Sequence, residues 1–197
     1  MDAPLTSPAD LPHGAADAEF DLVLAVDAQW GIGKDNALPW PKLSADLQHF
    51  QRLTSTAPPG RRNAVVMGRR TWESKEVGGR PLPRRCNVVL TSRSLVVPDG
   101  VLVASSLEDA LTQLGRRAEL GHIFVIGGAE IYRLALAHPR CRAVYLTRVA
   151  ATFGADTFVP DLDALCEPDP SWPARTHREH DLEFRIEKLL VRPPRRT

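Results

Sequence analysis

Little in this chain suits a metal centre, a disulfide framework or a membrane. Its 197 residues hold three cysteines, Cys86, Cys141 and Cys166, without metal-ligand spacing. So few thiols in so long a chain do not make a disulfide framework, and reduced thiols in a cytoplasmic protein are expected. The six histidines are scattered, with no HExxH and no cluster with cysteine, so no metal site is indicated. No apolar run approaches the length of a membrane span. The opening Met1-Asp2-Ala3-Pro4 carries no basic region followed by an apolar one, so it is not expected to act as a secretory signal. Neither sign of charge dominates: 25 Lys and Arg against 24 Asp and Glu leave a formal +1. A balance that even draws in neither nucleic acid nor an anionic membrane.

What is present describes an ordinary folded domain. A hydrophobic content of 43% and a charged content of 25% are those of a soluble globular protein. The length suits one domain with a substantial core. Residues 1–19 are rich in Ala, Pro and Asp without periodicity and read as a disordered extension. Residues 20–191 read as the single domain, and 192–197 as a flexible tail.

Within the domain, apolar segments bounded by Gly and Pro predict strands over 20–26, 63–67, 86–91, 101–104, 122–126 and 143–149. Helical spacing predicts helices around 43–53, 107–114 and 129–137, with Ser106 as an N-cap, and a short helix beginning at Arg69. Residues 183–190 alternate like an edge strand after a proline-rich stretch. Strands alternating with helices predict an α/β fold with a mainly parallel sheet.

One acid stands out. Leu43, Leu47, Phe50 and Leu53 follow the spacing of a helix's buried stripe, and Asp46 falls on the same stripe. A carboxylate facing a core is costly unless a cation or several donors meet it. Just upstream lies Gly31-Ile32-Gly33-Lys34-Asp35-Asn36-Ala37-Leu38-Pro39-Trp40, a glycine-bearing, aromatic-tipped loop suited to a lid. Asp46 is therefore either a structural carboxylate capping a neighbour or the acid of a pocket. In the second case its two oxygens suit a ligand with two adjacent N–H donors, such as a 2-amino-4-oxo-pyrimidine edge. Thr147, on a strand, is placed to add a hydroxyl to the same ring.

Ligands of open α/β sheets bind beyond the carboxyl ends of strands. Three predicted strand ends carry phosphate-suited residues. Gly68 precedes Arg69, Arg70 and Thr71; Leu90 precedes Thr91, Ser92 and Arg93; Ile126 precedes Gly127 and Gly128 at a helix start. Three such ends favour a phosphorylated nucleotide. Arginines without an acid favour a 2′-phosphate, hence NADP over NAD. Gly31-Ile32-Gly33 is not the dinucleotide fingerprint, because the third glycine is missing.

From about residue 20 to 190 the chain resembles the dihydrofolate reductase family. The resemblance rests on an ordered series: Gly31-Ile32-Gly33 with Leu38-Pro39-Trp40, Asp46 with Phe50, Val66-Met67-Gly68-Arg69-Arg70-Thr71-Trp72-Glu73-Ser74, Arg80-Pro81-Leu82-Pro83, Asn87-Val88-Val89-Leu90-Thr91, Val125-Ile126-Gly127-Gly128 with Tyr132, Tyr145-Leu146-Thr147, and Asp156-Thr157-Phe158-Val159-Pro160. It implies a three-layer α/β fold with a mostly parallel eight-stranded sheet flanked by helices. It implies NADPH-dependent reduction of 7,8-dihydrofolate to tetrahydrofolate for one-carbon metabolism, by a cytoplasmic monomer that also takes antifolate inhibitors and needs no nucleic acid or membrane. A fused thymidylate synthase, seen in some relatives, is not expected.

Residue by residue, the resemblance makes Asp46 the catalytic-site acid. Ala25, Ile32, Gly33 and Leu38 would line the nicotinamide. Arg69, Arg70 and Thr71, next to Gly68, would contact phosphate, and Thr91, Ser92 and Arg93, next to Leu90, the 2′-phosphate side. Ile126, Gly127, Gly128, Ala129, Glu130, Ile131 and Tyr132 would form the pyrophosphate turn and the wall between the two ligands, with a cis Gly-Gly bond. Val23, Leu47, Phe50 and Leu82 would wall the pterin and benzoyl groups. Thr147 would join Asp46, and Arg85 would hold the glutamate tail's α-carboxylate. Two positions depart from the family pattern. Lys75 falls where an apolar residue usually touches the benzoyl ring, and Arg84 replaces the small residue usual before the tail-binding arginine, so Arg84 and Arg85 both stand as candidates for that role. Two other readings compete: a riboflavin-pathway pyrimidine reductase of the same fold, and a non-catalytic NADP-binding module.

Overall fold

The computed structural model describes residues 18–192, so the readings of 1–17 and 193–197 lie outside the described residues. In chain order the elements are β1 (Phe20–Val26), β2 (Gly31–Gly33), α1 (Ser44–Ser55), β3 (Arg62–Gly68), α2 (Arg69–Trp72), β4 (Cys86–Leu90), β5 (Leu102–Ala104), α3 (Leu107–Gly115) and β6 (Leu120–Gly127). Then come α4 (Ala129–Leu136), β7 (Cys141–Val149), β8 (Thr157–Phe158), α5 (Leu162–Leu165), β9 (Cys166–Pro168), β10 (Arg175–Glu179) and β11 (Leu182–Val191).

Eight strands lie side by side in the order β10-β11-β7-β1-β6-β3-β4-β5, and β9 adds a ninth by pairing with β11. The run from β7 to β5 is parallel, while β11 joins β7, β9 and β10 antiparallel. Leu22, Val65, Val66, Val88, Val89, Val125 and Val144 lose all exposure. Such apolar runs are what strands covered on both faces require. On one face α3 and α4 pack Leu107, Leu111, Leu114, Tyr132 and Ala135 against Leu22, Leu24, Val66, Val88 and Val125. On the other face, Phe50 and Leu53 of α1 and Trp72 of α2 meet Val23, Val65, Met67, Val89 and Phe124. The result is the expected three layers.

Ser106 does cap α3: its hydroxyl accepts from the Asp109 backbone N–H at 3.1 Å, and the Asp109 carboxylate accepts from the Ser105 N–H at 2.8 Å. Four features depart from the expectation. The strand over 182–191 is not an edge, because β10 covers its outer side. Its alternation misleads because Glu187 is buried there, compensated by ion pairs with Arg148 and Arg185. The lid loop carries a short strand, β2, paired with β8. The stretch after Pro160 holds α5 and β9, with β10 beyond them, whose exposed, charged residues gave no periodic apolar signal. Finally, Ala18 packs against the core and Glu19 pairs with Arg142 at 3.3 Å, so the ordered domain reaches back into the expected extension.

The expected buried stripe of α1 is only partly a core. Leu43 is buried, but within the helix the buried residues are Asp46 and Thr54. Leu47 and Phe50 stay half-exposed because they face a cavity.

Candidate active site

That cavity, of about 340 Å³, opens between α1 and the middle of the sheet. β1 contributes Val23 and Ala25, and α1 contributes Asp46, Leu47 and Phe50. Neighbouring β7 contributes Thr147, which the parallel register sets beside Ala25. Leu38, Thr71, Leu82, Arg85, Ile126 and Tyr132 complete the group of predicted residues on its wall.

Asp46 is the acid of this cavity, only 9% exposed. The Thr147 hydroxyl donates to its Oδ1 at 2.6 Å. Burial raises the Asp46 pKa above the ordinary aspartate value, against the Thr147 hydrogen bond, which lowers it; Glu179 adds to the rise and His177 opposes it. The acid is held in place from afar. Leu43, the N-cap of α1, offers no side-chain acceptor. Instead the Glu179 carboxylate, from β10, accepts from the Ser44 and Ala45 N–H groups, each at 2.8 Å. A carboxylate on those unpaired donors does the work of a local cap and complements the helix dipole.

Arg85 and Arg84 separate clearly. Arg85 lines the cavity, 8% exposed, with Nη1 donating to Thr54 Oγ1 at 2.7 Å and Nε to the Pro83 carbonyl at 3.0 Å. Its guanidinium lies 5.9 Å from the centre of the Phe50 ring. Arg84 points out of the cavity, donating to Ser55 Oγ at 3.1 Å. Lys75 is exposed, and Ser74 and Val77 face the cavity in its stead. The Lys75 backbone N–H donates to the Asn36 carbonyl at 3.4 Å, which ties this segment to the loop before α1.

That loop is pinned at several points. Leu38 N–H donates to Glu76 Oε1 at 2.9 Å, and Asp35 N–H to Asp156 Oδ2 at 2.9 Å. Asp27 Oδ1 accepts from the Gln29 and Gly31 N–H groups at 2.9 and 2.8 Å, fixing the turn before β2. Ile32 and Gly33 lie in β2, away from the cavity wall, with Gly33 paired to Thr157.

The three phosphate-suited strand ends are adjacent, since β6, β3 and β4 are neighbours and the register pairs Met67 with Gly127 and Gly68 with Leu90. The Gly127–Gly128 bond is cis. A Cβ on Gly127 would stand 2.7 Å from Thr71 Oγ1, and one on Gly68 would stand 3.1 Å from Ile131 Cγ1. Gly127, whose φ is +143°, is the position of this junction that most requires bare backbone. Gly128 starts α4 without a side-chain cap, and Ala129 and Glu130 follow in its first turn. Tyr132, buried, fixes α4 to β1 by donating to the Val23 carbonyl at 2.7 Å. Arg69 is engaged with Glu73 at 2.8 Å, whereas Arg70 and Arg93 form no ion pair among the described residues. Thr91 Oγ1 accepts from the Arg93 N–H at 3.1 Å, which shapes an exposed turn that includes Ser92. Leu90 is buried and contributes packing there. Glycine backbone, a helix start, hydroxyls and free guanidiniums form a donor set that fits a phosphate-bearing group.

The sequence profile of the dihydrofolate reductase family matches residues 19–185. The chain belongs to the dihydrofolate reductase family. A Drosophila melanogaster dihydrofolate reductase is 37% identical over 176 residues, which cover 86% of this chain and 96% of that one. The solved dihydrofolate reductase of Schistosoma mansoni superposes with a TM-score of 0.75 at 34% identity, covering 89% of this chain and 99% of that one. A bifunctional dihydrofolate reductase-thymidylate synthase of Glycine max is 42% identical over 151 residues, but the match spans only 28% of its length.

Against this family background, several wall residues lie outside the predicted site set. His49, Gln51, Ser74, Glu76, Val77 and Tyr145 also line the cavity. His49 lies three residues after Asp46, so helical spacing alone places it near the same face. Its Nε2 is buried without a hydrogen-bond partner, and burial, with the charges of Arg52, Arg175 and His177, lowers its pKa. Tyr145 and His49 both pack on Trp172, at 5.9 Å between ring centres in each pair, a contact no local pattern foretells.

Proposed function

We propose that the chain reduces 7,8-dihydrofolate to tetrahydrofolate with NADPH. The observation that carries this reading is the buried Asp46–Thr147 pair on the wall of a cavity that reaches Thr71 and Ile126, next to the Gly127–Gly128 junction. The two carboxylate oxygens suit the paired N3–H and 2-amino donors of a pterin, with Thr147 fixing the carboxylate's orientation. Val23, Ala25, Leu47, Phe50 and Leu82 supply the apolar walls for the pterin and benzoyl rings, and Ile126 and Tyr132 stand between substrate and cofactor. Arg85 suits the α-carboxylate of the tail.

NADPH fits the strand-end junction. Gly68, Gly127, Gly128, Ala129, Glu130 and Ile131 would surround its pyrophosphate, with Arg69, Arg70 and Thr71 on phosphate oxygens. Thr91, Ser92 and Arg93, beyond Leu90, suit the 2′-phosphate, and Ile32, Gly33 and Leu38 the nicotinamide side. When bound, NADPH supplies the hydride that reduces C6 of the pterin. Asp46 binds the ring edge and favours protonation at N5, on the other side of the ring. The carboxylate cannot reach N5 itself, so water admitted past the loop over 31–40 delivers the proton.

The assay is the loss of the reduced nicotinamide's near-ultraviolet absorbance with dihydrofolate as substrate. Steady decay is expected, faster with NADPH than with NADH, and slower as pH rises because N5 protonation is lost. No decay with dihydrofolate would turn the choice to the pyrimidine reductase or the non-catalytic module.

A further inference from the structure

Consecutive arginines, one in the cavity wall and the next exposed outside it, pose a physical problem. Arg85 is buried in the wall and Arg84 is turned outward, and neither forms an ion pair with any described carboxylate. Their partners are neutral: Thr54 Oγ1 and the Pro83 carbonyl for Arg85, Ser55 Oγ for Arg84. Burial, with the Arg84 charge beside it, lowers the Arg85 pKa, as expected of like charges held together. The backbone adds a second cost. Arg84 has φ +62°, a left-handed conformation that glycine adopts freely and arginine does not. Two anions would offset the repulsion between these neighbouring guanidiniums, which a neutral surface would not, and an arginine kept at a φ that suits glycine marks a position where the cation itself is wanted.

We infer that Arg84 forms a second, outer carboxylate subsite, so that the site favours folates whose tail carries more than one glutamate. This rests on the dihydrofolate reading above. A γ-linked glutamate chain presents one free α-carboxylate per residue. The first meets Arg85 inside the cavity, and the next lies further out, toward Arg84. The inner and outer order of the guanidiniums matches that of the carboxylates, and each guanidinium offers the forked geometry a carboxylate takes.

The experiment compares kcat/KM for dihydrofolate monoglutamate and triglutamate in the unaltered protein, in Arg84→Gly and in Arg84→Glu. Glycine suits the φ at this position, so Arg84→Gly should fold, and circular dichroism with a melting curve checks both variants. The unaltered protein is expected to prefer the triglutamate. The preference should fall about threefold to fivefold in Arg84→Gly, the upper range for one exposed charge pair. It should invert in Arg84→Glu and shrink with added salt. A ratio unchanged by both substitutions would show that Arg84 only braces Ser55 and would overturn the subsite. Absence of turnover with either substrate would overturn the dihydrofolate reading, and the subsite with it.

Discussion

The two ends of the cleft are built in opposite ways. At the nucleotide-suited end, Gly68-Arg69-Arg70-Thr71, Leu90-Thr91-Ser92-Arg93 and Ile126-Gly127-Gly128 are each one short stretch of chain at the end of one strand. At the acid end every important contact is long-range: Thr147 donates to Asp46 from 101 residues away, and Glu179 caps the first turn of α1 from more than 130. A local motif works wherever parallel strands bring their ends together. A buried carboxylate works only when distant segments arrive together to satisfy it. The acid end should therefore lose the most chemistry to a single change, and the glycine end the most backbone fit.

Asp46→Asn tests the acid end most severely. Asparagine keeps the size and can still accept from Thr147, but it places an N–H₂ where an acceptor is needed and removes the charge. The kcat/KM for dihydrofolate should fall about 10²–10³-fold, the scale of removing one preorganised electrostatic group. NADPH affinity, read by fluorescence titration, should stay near that of the unaltered protein. Turnover close to normal would sink the role given to Asp46.

Gly127→Ala tests the other end. Its φ of +143° disfavours any L side chain, and the new Cβ would stand 2.7 Å from Thr71 Oγ1. Stability should fall by about 1–3 kcal/mol, the cost of one such strained residue. NADPH binding should weaken more than substrate binding does. Equal weakening of both ligands would show that the two ends are not the separable units described above.

The same contrast explains what was legible in the sequence. The parallel strands, α3 with its Ser106 cap and the glycine junction follow from apolar runs and punctuation, and all appear where those signals stood. Asp46 stands out as a charge on an apolar stripe and Thr147 as a hydroxyl for the same ring, but their direct hydrogen bond across 101 residues leaves no local trace. β10 leaves no periodic signal because its residues are mostly exposed and charged, and β11 reads as an edge because a buried Glu187 imitates an outward-facing one. Lys75 departs from the family pattern at a position where an apolar residue usually meets the substrate, and the chain turns it to solvent and brings Val77 to the cavity.

A smaller effect concerns the stability of the acid end itself. Burial raises the Asp46 pKa, so the folded state holds its proton more tightly than the unfolded chain does. The sign follows from linkage: the full stability is present below the ordinary aspartate value of 3.8 and is lost as pH rises through the higher folded value. At neutral pH the ionised carboxylate therefore opposes folding. Asp46→Asn should gain about 0.5–2 kcal/mol there, the usual gain where a functional group is frustrated. The gain should disappear in acid, where both proteins are neutral at this position. Urea titrations at neutral and acid pH check it, and an equal gain at both would assign the effect to packing.

The mildest perturbation is Glu179→Gln. Its carboxylate pKa is lowered, chiefly by the Ala45 and Ser44 N–H bonds, so the sign is opposite to that of Asp46. The cap's contribution is complete above the ordinary glutamate value of 4.5 and fades as pH falls through the lowered one. Glutamine keeps an acceptor but loses the charge that complements the helix dipole. The melting temperature should drop by a few degrees at neutral pH, and the difference should narrow in acid. Glu179 also raises the Asp46 pKa, so its removal should move the pH profile of turnover as well as the melting curve. A cap acting only on the helix would shift the melting curve alone, whereas a shift in both would place β10 within the electrostatics of the acid end.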